Sequence, residues 1–168
     1  PHQQPNLRGL SWWNETVPVV LPHLTPEQRS LILGELAYQN HIAESSAYRC
    51  LPRGAIHADL FRDNVMFDTG PPPGLFAFYF AGCDTFLFDI GICLNDWCID
   101  LESGSHNAAH GDAFMAAYQR VLPLTAQERT LLPAPQPPGP LRFLSSRLWD
   151  CPVPPERAAP PPPRPRPL

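Results

Sequence analysis

Apolar residues at helical spacing dominate the first third of the chain. A helix start is indicated at Thr25, because threonine is a good N-cap, Pro26 suits the first helical position and Gln28 completes a capping box. The apolar positions that follow share one helical face: Ile32, Leu36, Ala43 and Ala47. The pattern predicts a helix from Thr25 to about Tyr48.

Residues 1–24 carry no such pattern, and we expect an irregular lead-in. Its predicted anchors are Trp12 and Trp13. After the helix, residues 51–54 contain Pro and Gly and break it, so residues 55–56 are predicted to form a short buried strand.

Two further apolar runs, residues 65–67 and 75–78, are separated by a segment rich in Gly, Pro and Asp. Turn residues between short apolar runs predict a β-hairpin.

The second half of the chain returns to helical spacing. One stripe is made of Leu87, Ile90, Leu94, Trp97 and Leu101, and a second of Phe114, Ala117, Tyr118 and Val121. They predict helices from about Thr85 to Leu101 and from about Asn107 to Val121. A second capping box, residues 125–128, predicts a short helix that ends before Pro133.

The C-terminal end differs in composition. Of the 24 prolines, 14 fall between Pro133 and Pro167. Residues 141–150 could form one amphipathic helix, whereas residues 151–168 are predicted to be a disordered proline-rich tail of polyproline-II character.

Composition narrows the class of protein. With 168 residues, 43% of them hydrophobic and 17% charged, the chain suits one folded domain or one lobe of a larger protein. It opens on Pro1 rather than Met, which is compatible with a start inside a longer protein. A net charge of −4 with no basic run in the folded part gives no support to nucleic-acid binding.

No apolar run reaches membrane-spanning length and no secretory leader opens the chain, so we expect a soluble cytoplasmic protein. The five cysteines are odd in number, irregularly placed and without a C-x-x-C pair: Cys50, Cys83, Cys93, Cys98 and Cys151. They are expected to be reduced and mostly buried, without a disulfide or metal role.

The clearest chemical signal is the pattern H-x-D-x-x-x-x-N at residues 57–64, between the predicted strands. It is typical of the catalytic loop of kinase-like phosphotransferases, in which the Asp accepts the proton of the attacking hydroxyl and the Asn holds magnesium. The same pattern also occurs by chance in unrelated sequences. The order helix, strand, loop, hairpin, helix favours the kinase interpretation.

Such lobes carry a metal-binding Asp 13 residues after the Asn, followed by an aromatic residue. Counting from Asn64 gives Ala77, followed by Phe78. The spacing is kept and the carboxylate is missing.

Four segments together resemble the homoserine kinases of the aminoglycoside-phosphotransferase-like family: residues 51–67, 78–84, 87–90 and 93–98. The resemblance implies an α+β, mainly helical fold in which residues 1–150 form the C-terminal lobe of a protein-kinase-like enzyme, with a small β-hairpin beside the catalytic loop. In that family a glycine-rich hairpin and a phosphate-contacting Lys lie in an N-terminal lobe. This chain contains neither and has no Lys at all.

By position, the resemblance implies Asp59 as the catalytic base and Asn64 as a magnesium ligand. Arg62 lies where a cation could meet substrate or phosphate, although it could equally be a surface residue. His57, Asp84 and Asp89 are expected to support the loop. The other two carboxylates of this region, Asp63 and Asp96, are expected to be solvated or capping residues, and His106 and His110 lack a third ligand for a metal site.

The implied reaction is transfer of the γ-phosphoryl group of ATP, with Mg²⁺, to the hydroxyl of L-homoserine in threonine biosynthesis. Ala77 and the missing lobe leave two alternatives: a catalytically dead, pseudokinase-like remnant, or an interaction module that presents the Pro-Arg tail to a partner.

Overall fold

The computed structural model describes residues 4–67, 74–100, 102–103 and 105–132. The helix predicted at residues 141–150 and the tail predicted at residues 151–168 lie outside the described residues. No helix in the described part combines the length and apolar character that a membrane span requires.

The described residues form a mainly helical α+β fold, as predicted. The helices are α1 (Leu10–Val20), α2 (Pro26–Glu44), α3 (Ser46–Arg49), α4 (Phe86–Trp97), α5 (Ala108–Val121) and α6 (Ala126–Leu131). The strands are β1 (Arg53–Ile56), β2 (Val65–Met66), β3 (Gly74–Leu75) and β4 (Gly82–Thr85), and short 3₁₀ turns span Leu21–His23, Arg62–Asn64 and Phe78–Phe80. Two antiparallel pairs, β1 with β4 and β2 with β3, make up the described sheet structure.

Helix α1 corrects the prediction of an irregular lead-in. It begins after Gly9 without a side-chain cap and contains Pro18, so both of the usual local signals argue against it. Tertiary packing compensates, because Thr16, Val17 and Val20 are buried. Together with Leu24 and Ile32 of the α2 region, the two valines form the main apolar cluster.

The long predicted helix divides into α2 and α3. Its start is confirmed, since the Thr25 hydroxyl accepts the Gln28 amide and the Gln28 side chain accepts the Thr25 amide. The helix ends at Ser45, whose backbone is extended and whose hydroxyl caps Tyr48 at the start of α3. A serine that caps a new helix is a stop signal for the preceding one.

The helices α4, α5 and α6 are confirmed, including the second capping box at Thr125. Helix α4 is shorter than predicted and ends at Trp97, and Val121 is exposed rather than packed. The predicted hairpin is confirmed as β2 and β3, but its second strand stops at Leu75.

Strand β4 was not predicted, and it determines where α4 begins. It pairs with β1 so that Ile56 lies opposite Gly82 and Arg53 opposite Thr85. On its other side the amide of Cys83 donates to the carbonyl of Gln4 at 2.7 Å. The N-terminal segment therefore continues this small sheet.

Gly82 leaves room for that N-terminal segment. A Cβ at position 82 would lie 2.7 Å from the carbonyl oxygen of Pro5, a backbone atom that cannot swing aside. We expect Gly82→Ala to lower the free energy of unfolding by about 1–3 kcal/mol, the usual cost of overpacking, as measured by urea denaturation. Gly34→Ala is the matched control: nothing lies within 4 Å of its added Cβ in α2, so a gain of about 0.5–1 kcal/mol is expected. Equal effects in the two variants would contradict the close approach.

Candidate active site

The loop from His57 to Asn64 connects β1 to β2, and its entry is fixed by one carboxylate. Asp89, in the first turn of α4, accepts the amide of His57 at 2.7 Å and the amide of Ala58 at 2.8 Å. Ala58 is fully buried with φ 61°, a left-handed conformation that costs a non-glycine residue roughly 1–2 kcal/mol. The two hydrogen bonds that Asp89 accepts stabilise this strained turn, which directly precedes Asp59.

The imidazole of His57 connects the loop to the segment after β3. Its Nε2 lies 2.8 Å from the carbonyl oxygen of Phe76, and its Nδ1 lies 3.2 Å from the amide of Asp59. A carbonyl accepts and an amide donates, so the ring is the neutral tautomer with hydrogen on Nε2. The side chain is 7% exposed and packs at a tilt on the ring of Phe78.

Asp59 and Asn64 meet directly at the two ends of the loop. The Asn64 amide nitrogen donates to the Asp59 carbonyl at 2.7 Å and to the Asp59 carboxylate at 3.0 Å. Both bonds use the nitrogen of the Asn64 side chain, so neither of them involves its amide oxygen. The carboxylate that could accept a proton and the amide that could face a metal thus lie side by side.

Ala77 lies in the segment after β3, which contacts the loop at Asn64. The amide of its neighbour Phe76 donates to the carbonyl of Asn64 at 3.3 Å, which holds position 77 beside the loop. Ala77 itself has φ 62° and ψ 45°, a left-handed conformation in which Asn and Asp are several-fold enriched. The backbone suits an aspartate, but the side chain is a methyl group.

The donors present do not complete a magnesium site. Magnesium is usually held by one or two carboxylates together with substrate phosphates, whereas here Asn64 offers an amide oxygen and Ala77 offers nothing. Within the described residues no group of three or more His, Cys, Asp or Glu side chains could hold a metal ion. His106 and His110 are not part of such a group.

Arg62 and Asp96 are joined, and this corrects the expectation that Asp96 is a solvated or capping carboxylate. One oxygen of Asp96 accepts the backbone amide of Arg62 at 2.7 Å and its guanidinium Nε at 3.1 Å. Asp63, by contrast, is exposed as expected. The side chain of Arg62 therefore contacts α4, and its predicted role at a phosphate stays a prediction.

Asp84 was expected to support the loop, but its contacts lie elsewhere. Its carboxylate accepts from Asn6 at 2.8 Å, from the guanidinium of Arg53 at 2.9 Å and from the amide of Thr85 at 2.8 Å. These bonds join the N-terminal segment, β1 and the start of α4. Asp84 stabilises the scaffold under the loop rather than the loop itself.

Two residues of α4 that the sequence analysis did not single out contact the middle of the loop. The indole nitrogen of Trp97 donates to the carbonyl of Leu60 at 3.0 Å, and the thiol of Cys93 lies 3.7 Å from the same oxygen. Burial, together with the charges of Asp89 and Asp96, raises the pKa of Cys93 to about 12. Cys93 is therefore a neutral packing residue at physiological pH.

The remaining cysteines divide by exposure. Cys98 is buried like Cys93, Cys83 is half-buried and Cys50 is exposed. Burial raises the pKa of Cys98, while the charge of Arg62 acts in the opposite direction. Cys151 lies outside the described residues.

Comparison with known proteins agrees with the fold. A family model described as Phosphotransferase enzyme family (APH) matches residues 2–137. The chain belongs to this phosphotransferase enzyme family.

Curated proteins that are similar to this chain include homoserine kinases, as the sequence predicts. The homoserine kinase of Polaromonas naphthalenivorans (strain CJ2) is 80% identical over 148 residues, which cover 88% of this chain and 47% of that protein. The homoserine kinase of Janthinobacterium sp. (strain Marseille) is 50% identical over 150 residues, 89% of this chain and 47% of the relative. That of Burkholderia mallei (strain SAVP1) is 49% identical over 158 residues, 89% of this chain and 48% of the relative. The chain spans about half the length of these relatives.

Proposed function

We propose that this chain is the C-terminal part of a homoserine kinase, which transfers the γ-phosphoryl group of ATP to the hydroxyl of L-homoserine. The observation that carries the proposal is the contact between Asp59 and Asn64 on a loop whose entry is fixed by Asp89. Phosphoryl transfer to a hydroxyl needs an acceptor for the proton of that hydroxyl in a fixed position, and the Asp59 carboxylate, held by Asn64, suits this task. The 80% identity to a homoserine kinase supports the choice of substrate.

In this proposal Asp59 is the base that accepts the proton of the homoserine hydroxyl. Asn64 would offer its amide oxygen to magnesium, a site that Ala77 leaves one carboxylate short. The bond from the Asn64 nitrogen holds the carboxylate of Asp59 in place. His57 and Asp89 set the backbone from which Asp59 projects. Arg62 is the predicted cation for substrate or phosphate, a role that competes with its bond to Asp96.

Residues 1–150 are proposed to form one lobe of a two-lobed enzyme, followed by the proline-rich tail at residues 151–168. Large apolar side chains beside the loop are exposed in the described structure: Met66, Phe67, Leu75, Phe76, Phe78 and Tyr79. Tyr79 is 81% exposed. Apolar surface of this extent commonly marks an interface, and a second lobe that closes over ATP would cover it.

A second candidate function rests on Ala77. Without a carboxylate at this position the fold is retained while a metal contact is lost, which favours a non-catalytic, pseudokinase-like role. Catalysis of phosphoryl transfer is mostly electrostatic, so loss of such a contact is expected to reduce the rate by at least ~10²-fold.

The test is phosphate transfer from radiolabelled ATP by a chimera. In it, this chain replaces the segment of the Polaromonas naphthalenivorans homoserine kinase to which it aligns, with either Ala77 or Ala77→Asp. We expect the Ala77→Asp chimera to phosphorylate homoserine in preference to serine, choline and an aminoglycoside. Asp59→Asn should reduce its kcat by roughly 10²–10⁴-fold, the range typical of a lost general base.

Asp63→Asn is the matched control, because it removes a neighbouring but exposed carboxylate and should leave kcat unchanged. If the Ala77→Asp chimera transfers phosphate to none of these substrates, the kinase proposal for this chain is wrong. Activity that appears only with Ala77→Asp would favour the non-catalytic role for the natural chain.

A further inference from the structure

One face of α4 contacts the loop at its entry and in its middle. The contacting side chains are spaced i, i+4, i+7 and i+8, which places them on one side of a helix: Asp89, Cys93, Asp96 and Trp97. Asp89 holds the entry of the loop, whereas Trp97 holds the carbonyl of Leu60 and Asp96 holds the amide of Arg62. Side chains of α4 therefore form hydrogen bonds with the loop backbone both before and after Asp59.

We propose that Asp96 and Trp97 are positioning residues for Asp59. We propose further that Arg62 helps to position Asp59 through its bonds to Asp96, instead of contacting phosphate. The inference rests on the proposed function, since it assigns the residues that hold its base in place. It goes beyond that function by giving the C-terminal end of α4 a role in catalysis.

The environment of Arg62 supports the assignment. The same Asp96 oxygen accepts both the backbone amide and the side-chain Nε of Arg62, so the carboxylate fixes the backbone and the side chain together. The Asp96 side chain is 14% exposed and that of Arg62 is 37% exposed, so the carboxylate end of the ion pair is shielded while the arginine end is partly solvated.

The guanidinium group is also turned toward the helix. Its Nη2 is buried and has no hydrogen-bond acceptor within the described part of the chain. Its charge acts to lower the pKa of the Cys98 thiol, against the larger effect of burial, and Cys98 is a buried residue at the C-terminal end of α4. A guanidinium that reached out to a nucleotide would present its terminal nitrogens to solvent.

Movement of Arg62 would be passed on to Asp59. Arg62 begins the 3₁₀ turn that ends at Asn64, and the Asn64 nitrogen holds the Asp59 carboxylate. Trp97 fixes the carbonyl of Leu60, the residue that follows Asp59. Loosening either anchor shifts the carboxylate without touching it, and small misplacements of a reacting group are costly in rate.

The first test is amide hydrogen exchange of this chain by NMR. In Asp96→Ala we expect the amides of Arg62 and Asn64 to exchange at least ~10-fold faster while amides of α2 are unchanged, because only the local opening of the loop is affected. Arg62→Met should behave similarly, and Arg62→Lys should recover most of the lost protection. Trp97→Phe should speed exchange at Phe61, whose neighbour Leu60 loses its anchor. Asp63→Asn is the control and should exchange like the unmodified chain.

The second test separates positioning from phosphate contact, using the Ala77→Asp chimera described above. Positioning predicts that Asp96→Ala lowers kcat at least ~10-fold while the KM for ATP stays within about threefold. A raised KM for ATP in Arg62→Met, with unchanged exchange rates in the loop, would mean that Arg62 contacts phosphate and would overturn the proposal. If the chimera is inactive, the proposed function fails, and the exchange rates still decide whether α4 holds the loop.

Discussion

Asp89→Ala is expected to lower the free energy of unfolding by about 2–6 kcal/mol, because it leaves two partly buried amides without an acceptor and each such loss costs about 1–3 kcal/mol. The amides are those of His57 and Ala58, at 2.7 and 2.8 Å from the carboxylate. Ala58 holds a left-handed conformation that these bonds maintain. Urea denaturation measures the loss.

Two matched variants separate the acceptor from the charge. Asp89→Asn keeps one acceptor oxygen and turns an NH₂ group toward the second amide, so its loss should fall between that of Asp89→Ala and none. Asp63→Ala removes an exposed carboxylate and should change stability by less than about 0.5 kcal/mol. A stability of Asp89→Ala equal to that of Asp63→Ala would show that the loop does not depend on Asp89.

Ala77→Asp is expected to create a measurable Mn²⁺ site beside Asn64 and to raise kcat of the chimera by at least ~10²-fold, on the scale of other electrostatic contacts in active sites. The left-handed backbone at position 77 accepts an aspartate readily, and the bond from the Phe76 amide to the Asn64 backbone carbonyl keeps position 77 beside the loop. Mn²⁺ serves as the probe because its binding is followed directly by electron paramagnetic resonance.

Ala77→Gly is the control that isolates the backbone. Glycine adopts this conformation without steric cost, so it should raise the free energy of unfolding by about 1 kcal/mol and add no Mn²⁺ affinity. Ala77→Asn should resemble glycine in stability and fall short of aspartate in Mn²⁺ binding, since its side chain carries no charge. If the Ala77→Gly and Ala77→Asp variants bind Mn²⁺ with equal affinity, position 77 is not part of a metal site.

Much of the helical structure could be read from local signals. The capping boxes at Thr25 and Thr125 are formed as predicted, because each one involves residues three apart and needs no other part of the chain. Helices α4 and α5 follow their apolar spacing, which can be read along the chain although the apolar faces are stabilised by tertiary packing. Helix α1 escaped prediction because neither a cap nor a proline-free run marks it, and its stability comes from packing against α2.

The loop illustrates the limit of motif reasoning. The pattern His57, Asp59 and Asn64 could be recognised from spacing alone, and so could Ala77 as the position at which the pattern predicts a carboxylate. The partners of Arg62, Asp84 and Asp96 could not be recognised in this way, because a charged residue near a motif has several chemically reasonable partners. One signal was available: Asp96 and Trp97 share a helical face with Asp89, which the predicted helix already implied.

The sequence by itself therefore determined the helices with local caps, the position of the loop between two strands and the family to which the chain belongs, since these depend on residues close together along the chain. The tertiary structure decided the pairing of β4 with β1 and the left-handed conformation of Ala77. It also decided that Asp96, 34 residues from Arg62, holds that arginine against α4. These features depend on contacts between distant segments, and such contacts exist only once the chain has folded and brought the segments together.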